Sequence, residues 1–186
     1  MNWTHIIIHH TGAEEKDAAQ VRTYHKSLSW RDVGYHYVIE RDGRVVPGRD
    51  LSLPGAHCRA GGKNFKGIGV ALIGNLENHP PLAAQRAALP GLLAELCLLF
   101  NIQPDHVLGY REVLGAATAC PGRYLDMAAV RQELAARLAS GGKDAPAPPP
   151  GPEGGKASGL WRDQAGAFAK RENAEALRGK APGYRL

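Results

Sequence analysis

A near-continuous apolar run, IGVALIG at residues 68–74, constrains the fold more than any other segment of this chain. Strands that face water on one side alternate apolar and polar side chains, whereas this run contains no polar side chain. A strand of this kind is buried on both faces, which is typical of a mainly parallel sheet covered by helices. The run therefore predicts an α/β domain with this strand in its interior.

Two more segments predict strands, and one dipeptide predicts a turn. HIIIHH at residues 5–10 and YHYVIER at residues 35–41 are rich in β-branched and aromatic side chains and are bounded by turn residues. Asp42-Gly43 lies between β-type flanks, which is the signature of a tight hairpin.

Apolar residues at helical spacing predict three helices, over residues 15–28, 82–100 and 126–139. Pro90-Gly91 inside the second helix is expected to kink or split it. The order strand, helix, strand, strand, helix, strand, helix indicates an α/β fold. In such a fold helices flank a central mixed, mainly parallel sheet, and a ligand site lies at the strand ends.

The composition changes sharply at Ser140–Gly159, where Gly, Pro and Ala replace every larger apolar side chain. A segment with nothing to bury is typical of a flexible linker. The chain of 186 residues then divides into a single folded domain over residues 1–139, a linker over residues 140–159 and a short tail segment over residues 160–186.

Charge and cysteine content exclude several classes of protein. The formal net charge is +5, and the basic residues are scattered rather than gathered into a run that could follow a phosphate backbone. We therefore expect no nucleic-acid partner, while an anionic polymer such as cell wall remains open. Three cysteines are too few and odd in number for a disulfide framework, so a reduced or metal-bound state is expected.

The N-terminal sequence MNWTHIIIHHTG lacks the basic, apolar and cleavage regions of a secretory signal. No apolar run reaches the roughly 18 residues that a membrane span needs. The expectation is a chain without a membrane span that is cytoplasmic as synthesised. It would then reach an external substrate by export or by cell lysis.

Two distant elements carry candidate metal ligands. His9 and His10 end the first predicted strand, and since alternate residues face opposite sides, only one of them can point into a given site. Cys120 precedes a Pro-Gly turn. A thiolate and a strand-end histidine brought together in this way are typical of an open catalytic zinc site, which keeps one position for water. The alternatives are a structural histidine pair and a simple buried thiol.

Four segments occur in order between Trp3 and about Leu138: IIIHHTG, WRDVGYHYVIERDGRVVPGRD, GAHCRAGGKNFKGIGVALIGNLE and GYREVLGAATACPGRYLDM. Together they resemble the zinc-dependent N-acetylmuramoyl-L-alanine amidases related to T7-type lysozyme and the peptidoglycan-recognition proteins. The resemblance implies an endolysin-like hydrolase in which residues 1–139 form the catalytic domain. It also implies Zn²⁺ as the cofactor and peptidoglycan or muropeptide as the partner.

The resemblance assigns the metal ligands position by position. His9 matches the first zinc ligand and Cys120 the third. At the position of the second ligand, where the family has a histidine, this chain has Tyr110. His106 lies about 13 Å upstream in an extended strand, so it does not substitute for that histidine. A phenol of pKa near 10 must lose its proton before it binds zinc, which weakens binding at neutral pH.

The same resemblance assigns further site residues. Tyr35 matches the residue that positions the zinc-bound water or stabilises the oxyanion, and Thr118 matches one that helps to hold the tetrahedral intermediate. His36 and His57 match positions that line the glycopeptide groove. Hydrogen bonding to loop backbone is the alternative role for these two histidines.

Two functions from different classes follow. The first is cleavage of the amide bond between N-acetylmuramic acid and L-alanine of the stem peptide by zinc-activated water. The second is an amidase-like module that binds peptidoglycan or muropeptide without cutting it, and a third alternative is a fragment with no function of its own. Tyr35, Thr118 and Cys120 favour the first function, and Tyr110 favours the second.

Beyond the linker, the segment Gly159–Tyr184 resembles the first strand and helix of a SPOR domain, a module that binds denuded septal glycan. About 27 residues are too few to bury a core of their own. The resemblance therefore implies a truncated SPOR-like segment.

Deleting everything after Ser140 is expected to leave the fold and the melting temperature nearly unchanged, because the linker has no large apolar side chain to dock on the domain. Circular dichroism and thermal unfolding of the full and shortened chains measure this. A melting temperature lowered by more than about 5 °C in the shortened chain would contradict the prediction.

Overall fold

The computed structural model describes residues 1–140. The strands are β1 (His5–His10), β2 (Tyr37–Ile39), β3 (Val45–Pro47), β4 (Gly67–Leu72) and β5 (Val107–Gly109). They form one sheet in the order β3-β2-β4-β1-β5, which is flanked by helices. The neighbouring strands β2 and β4, β4 and β1, and β1 and β5 are parallel. Only β3 is antiparallel to its neighbour, β2. The predicted mixed, mainly parallel sheet is confirmed.

The helices connect these strands across both faces of the sheet. Two of them begin at aspartate caps: Asp17 accepts the N–H of Gln20, and Asp126 accepts the N–H groups of Ala128 and Ala129. The helices are α1 (Ala18–Ser27), α2 (Lys63–Lys66), α3 (Ala83–Phe100) and α4 (Met127–Ala139), with short 3₁₀ turns at Ala60–Gly62, Pro104–His106 and Tyr110–Glu112.

The segment predicted to be an interior strand is β4, and all six of its residues are buried. The hairpin prediction is also confirmed, because β2 and β3 are antiparallel and Gly43 has φ +85° at the turn. A positive φ of this size suits glycine, which has no Cβ to clash with the backbone. The SPOR-like segment and most of the predicted linker lie outside the described residues, so the predicted domain division stays a prediction.

The two faces of the sheet bury different side chains. Ile6 and Ile8 of β1 pack with α3 and α4 in the larger core, whereas Ile7 packs with Cys58 and Val113 on the other face. Because side chains alternate along a strand, the next residue that shares the face of Ile7 is His9. The face opposite α3 and α4 therefore carries the histidine that the sequence singled out.

The second predicted helix is not split at Pro90-Gly91. The helix α3 runs without interruption through Pro90, which has no N–H for the carbonyl four residues earlier. Burial explains its continuity: Leu89, Leu92, Leu93 and Leu96 all pack in the core against the sheet. Each buried leucine contributes about 1.5–3 kcal/mol of transfer free energy, which together outweighs the cost of about 3 kcal/mol for one proline.

The same helix bears on the expectation that the chain has no membrane span. By length and composition α3 could cross a membrane, with a mean hydropathy of 1.3 over 18 residues. A core helix meets the same criteria, and 44% of this stretch is buried. The absence of a membrane span therefore stays a prediction.

A buried glutamine joins the start of α3 to the sheet. Gln85 is fully buried, and its side-chain amide donates to the carbonyls of Ile39 at 3.2 Å and Ile73 at 2.9 Å. Its Oε1 accepts the N–H of Leu82 at 3.1 Å. Gln85 thus satisfies polar backbone atoms where two strands end and a helix begins.

We predict that Gln85→Leu lowers the free energy of unfolding by about 1–3 kcal/mol, because it removes hydrogen bonds from buried backbone groups. Denaturant unfolding measures the change. Gln132→Leu on the exposed side of α4 is the matched control and should stay within about 0.5 kcal/mol of the unaltered protein. Equal losses in the two variants would show that Gln85 has no such role.

Candidate active site

The sequence-predicted site residues meet on the face of the sheet that carries His9. His9 is buried, and its Nδ1 lies 3.5 Å from Sγ of Cys120, although the two residues are 111 positions apart. The ring of Tyr35 lies 5.2 Å from the His9 ring, and the ring of Tyr110 lies 4.9 Å from it. The site therefore lies on a face of the sheet near the ends of β1 and β5.

The two histidines that end β1 have separate roles. The side chain of His10 points away from Cys120. Its Nδ1 accepts the N–H of Leu76 at 2.9 Å, in the connection between β4 and α3. Only its backbone carbonyl approaches the thiol, at 3.9 Å. The alternation of strand side chains thus brings His9, and not His10, to the thiol.

Arg111 holds the loop that presents Cys120. Its guanidinium donates to the carbonyls of Gly122 at 2.6 Å and Leu125 at 2.8 Å. Its backbone N–H donates to the carbonyl of Cys120 at 2.7 Å, and the Cys120–Pro121 peptide bond is cis. Sequence reasoning did not select Arg111 as a site residue, although it stands beside Tyr110 in the quoted motif.

Burial sets the protonation of the two nearest groups. The pKa of His9 is lowered well below its ordinary value of 6.5, first by burial and then by the neighbouring His57. Burial raises the pKa of the Cys120 thiol to about 11. Near neutral pH the imidazole is therefore unprotonated, which is the form that binds a metal, while the thiol must lose a proton to do so.

Tyr110 stands beside His9 without supplying an ionised ligand. Its ring packs against the cluster of Ile7, Cys58 and Val113. Burial raises the pKa of its phenol, and the nearby Cys58 and Cys120 raise it further. The phenol therefore stays protonated near neutral pH.

The two residues assigned to oxyanion stabilisation both lie at this site. Burial raises the pKa of the Tyr35 phenol, so it remains a hydrogen-bond donor throughout the neutral range. Thr118 accepts the N–H of Cys120 at 3.1 Å through its hydroxyl oxygen. Because that oxygen accepts, the hydroxyl hydrogen remains able to donate to another group.

The side chain of His36 is buried and bonded to backbone. It is 1% exposed, its Nδ1 accepts the N–H of Gly69 at 2.9 Å, and its Nε2 donates to the carbonyl of Leu53 at 3.3 Å. Both ring nitrogens are thus bonded to backbone, and contact of His36 with substrate stays a prediction. These bonds agree with the alternative role that the sequence left open, hydrogen bonding to backbone.

His57 is bonded to His9 and to backbone. Its Nδ1 lies 3.0 Å from Nε2 of His9, and its Nε2 donates to the carbonyl of Gly67 at 3.1 Å. Burial lowers the pKa of His57 to about 3, so it is neutral near pH 7. Sequence reasoning placed His57 at the site but did not predict its contact with His9.

A zinc ion would find two suitable ligand atoms here. In a tetrahedral site with Zn–N near 2.0–2.1 Å and Zn–S near 2.3 Å, two such ligand atoms lie about 3.5 Å apart. His9 Nδ1 and Cys120 Sγ are separated by that distance. Among residues 1–140 no group of three or more His, Cys, Asp or Glu side chains could hold a metal ion. Two ligands therefore fit, and Tyr110, with a protonated phenol, stands where the resemblance expects the second of three ligands.

Comparison with known proteins agrees with this geometry. Residues 1–123 match the family described as N-acetylmuramoyl-L-alanine amidase. Peptidoglycan-recognition protein SC2 of Drosophila melanogaster is 35% identical over 129 residues, which cover 64% of this chain and 68% of that protein. The endolysin of Escherichia phage T7 is 38% identical over 109 residues, which cover 55% of this chain and 67% of the endolysin.

A solved structure has the same fold. The N-acetylmuramoyl-L-alanine amidase LysC from Clostridium intestinale URNW superposes with a TM-score of 0.67 at 27% sequence identity, covering 73% of this chain and 87% of LysC. The resemblance predicted from four sequence segments is thereby confirmed, as is the fold that it implied.

The buried His36 should make stability depend on pH. Burial lowers its pKa to about 4, below the ordinary value of 6.5. Between these values the unfolded chain binds the proton and the folded chain does not, so the free energy of unfolding falls as pH falls through this window. One such histidine contributes roughly 1–2 kcal/mol between pH 7 and pH 5.

We predict that His36→Asn loses less stability over that range than the unaltered protein, by about this amount. Asn Oδ1 can accept the N–H of Gly69 without titrating. Denaturant unfolding at the two pH values, with a chelator present, gives the comparison, and all other titrating groups are shared. The same pH dependence in both proteins would show that His36 titrates normally.

Proposed function

Because the chain belongs to the N-acetylmuramoyl-L-alanine amidase family, we propose that it hydrolyses peptidoglycan at the amide bond between N-acetylmuramic acid and L-alanine of the stem peptide. The observation that carries the proposal is the cluster of His9, Cys120 and Tyr35 on one face of the sheet. Hydrolysis of this bond frees the lactyl carboxylate of the sugar and the α-amino group of the alanine.

Two side chains of the cluster are suited to the developing negative charge. As water adds to the amide carbonyl, its oxygen becomes an oxyanion that needs hydrogen-bond donors. Tyr35 offers a phenol O–H that stays protonated, and Thr118 offers a hydroxyl whose oxygen is held by the N–H of Cys120. Loss of one such donor typically costs about 10²–10³ in rate.

We propose Zn²⁺ as the cofactor, with His9 Nδ1 and Cys120 Sγ as the residues that would hold it. When bound, zinc supplies a Lewis acid and lowers the pKa of its water from 15.7 to about 7. Arg111 keeps the thiol at its place by bonding to the loop carbonyls of Gly122 and Leu125. Tyr110 limits the affinity, since a protonated phenol is a weak ligand.

A second function is favoured by one observation, the phenol of Tyr110 at the second ligand position. A groove that keeps its shape but holds zinc weakly would bind peptidoglycan or muropeptide without cutting it. The similarity to a peptidoglycan-recognition protein is consistent with this alternative. For either function we propose action at the cell wall, reached by export or by lysis of the cell.

Tyr110→His is expected to tighten zinc binding, because it offers a third ligand that is neutral near pH 7 and binds without first losing a proton from a phenol. Loss of a neighbour that only supports a ligand typically costs 10–100-fold in affinity, so gain of a ligand should improve affinity by at least about that factor. Titration with zinc against a competing chelator gives the affinity. The release of alanine α-amino groups from purified peptidoglycan gives the amidase rate, which should rise with zinc affinity.

Two controls define this experiment. Adding Cys120→Ser to the Tyr110→His variant should remove the gain in zinc affinity and rate, while Tyr35→Phe should lower the rate and leave zinc binding unchanged. An unaltered protein that already binds zinc tightly and cuts as fast as the Tyr110→His variant would contradict the role given to Tyr110. An unaltered protein that binds peptidoglycan and releases no alanine amino groups would establish the binding function instead.

A further inference from the structure

We propose that His57 is a positioning residue that fixes the tautomer of His9 and so directs the Nδ1 lone pair of His9 at Cys120. The proposal concerns a chain of hydrogen bonds from the carbonyl of Gly67 through His57 to His9. It rests on the proposed function only in its last step, the use of that lone pair to hold a metal.

The chain of hydrogen bonds has one direction, set by a backbone carbonyl. The carbonyl of Gly67 only accepts, so the His57 Nε2 at 3.1 Å from it must carry the proton. In a neutral imidazole the other nitrogen is then an acceptor, which makes His57 Nδ1 a lone pair. His9 Nε2 lies 3.0 Å from that lone pair and must be the N–H donor.

The proton on Nε2 leaves the other ring nitrogen of His9 free to bind. With its proton on Nε2, neutral His9 has a lone pair on Nδ1, and this atom lies 3.5 Å from Sγ of Cys120. The opposite tautomer would place an N–H on Nδ1 and block that atom as a ligand. The carbonyl of Gly67, which acts on His9 through His57, thus decides which nitrogen of His9 can bind a metal.

The ring of His57 has a place made for it by two glycines. A Cβ on Gly69 would lie 2.5 Å from Cδ2 of His57, and a Cβ on Gly55 would lie 2.4 Å from the same atom. Any side chain at either position would displace the ring. The Gly55 N–H donates to the carbonyl of Asn64 at 2.8 Å, and the Asn64 side chain in turn accepts the His57 N–H at 2.8 Å. His57 is therefore held by a hydrogen bond to its backbone N–H and by close packing of its ring against Gly55 and Gly69.

The contacts leave His57 no ring nitrogen for substrate. Both of its nitrogens are used, one by Gly67 and one by His9. This differs from the groove-lining assignment that the resemblance gave to His57. His36 touches the same ring edge-on at 5.7 Å between centroids but makes no hydrogen bond to His9 that would set its tautomer.

The test measures tautomers in the full chain, freed of metal by a chelator and without substrate. Proteins labelled with ¹⁵N-histidine are compared by long-range ¹H–¹⁵N correlation at about pH 8, above the ordinary histidine pKa. We expect His9 of the unaltered protein to carry its proton on Nε2. His57→Phe keeps a ring between the two glycines but removes the acceptor, so His9 should shift toward the Nδ1–H form.

His57→Asn supplies the rescue. Its Oδ1 lies near the position of Nδ1 and can accept from His9 Nε2, so the Nε2–H form should return. Zinc affinity should fall about 10–100-fold in His57→Phe and recover in His57→Asn, the range typical of a residue that supports a ligand. His106→Phe is the matched control: His106 is exposed, stacks on His5 just before β5, and should change neither readout when it is replaced.

The outcomes separate this proposal from the proposed function. A proton on Nδ1 of His9 in the unaltered protein would overturn the proposal, and this measurement needs no variant to fold. An unchanged Nε2–H form in His57→Phe would also overturn it and would leave His57 a purely structural role. Failure of the protein to cut peptidoglycan would count against the amidase function while the tautomers remained as expected.

Discussion

The parallel pairing of β1 with β4 is the interaction on which the site depends. Its register sets Gly69 opposite Ile7 and Ala71 opposite His9. Gly67 and Gly69 have no side chain on the face that His9 shares, so the His57 ring can lie directly on the strand. On the other face, Ile68, Val70 and Leu72 join the main core. The six residues of β4 therefore pack in the core on one face and leave space for the His57 ring on the other.

Burial governs the chemistry of the site as much as the choice of residues does. Removal from water lowers the pKa of His9 and raises those of Cys120 and Tyr35, so each group is held in its neutral form. A neutral imidazole binds a metal and a protonated phenol donates to an oxyanion, and both states suit hydrolysis. The thiol is different, because Cys120 would have to release a proton before it could bind a metal.

Tyr110 packs as part of the fold but keeps a protonated phenol. Its ring packs against Ile7, Cys58 and Val113, and it immediately follows the last residue of β5. The ring thus contributes to the packing at the end of β5, and the next residue, Arg111, holds the loop that carries Cys120. The phenol in this surrounding keeps its proton, so Tyr110 supplies no ionised oxygen to the site. The packing of Tyr110 at this position therefore does not depend on an ionised side chain.

The sequence alone determined the α/β class, the interior strand, the hairpin at Gly43 and the family, because these depend on local periodicity and on four ordered segments. It could not determine that α3 continues through Pro90, since that outcome depends on leucines packing against a sheet formed elsewhere in the chain. The sequence alone also could not determine the contact of His57 with His9. These residues are 48 positions apart, and only strand register and the bare face of β4 bring their rings together.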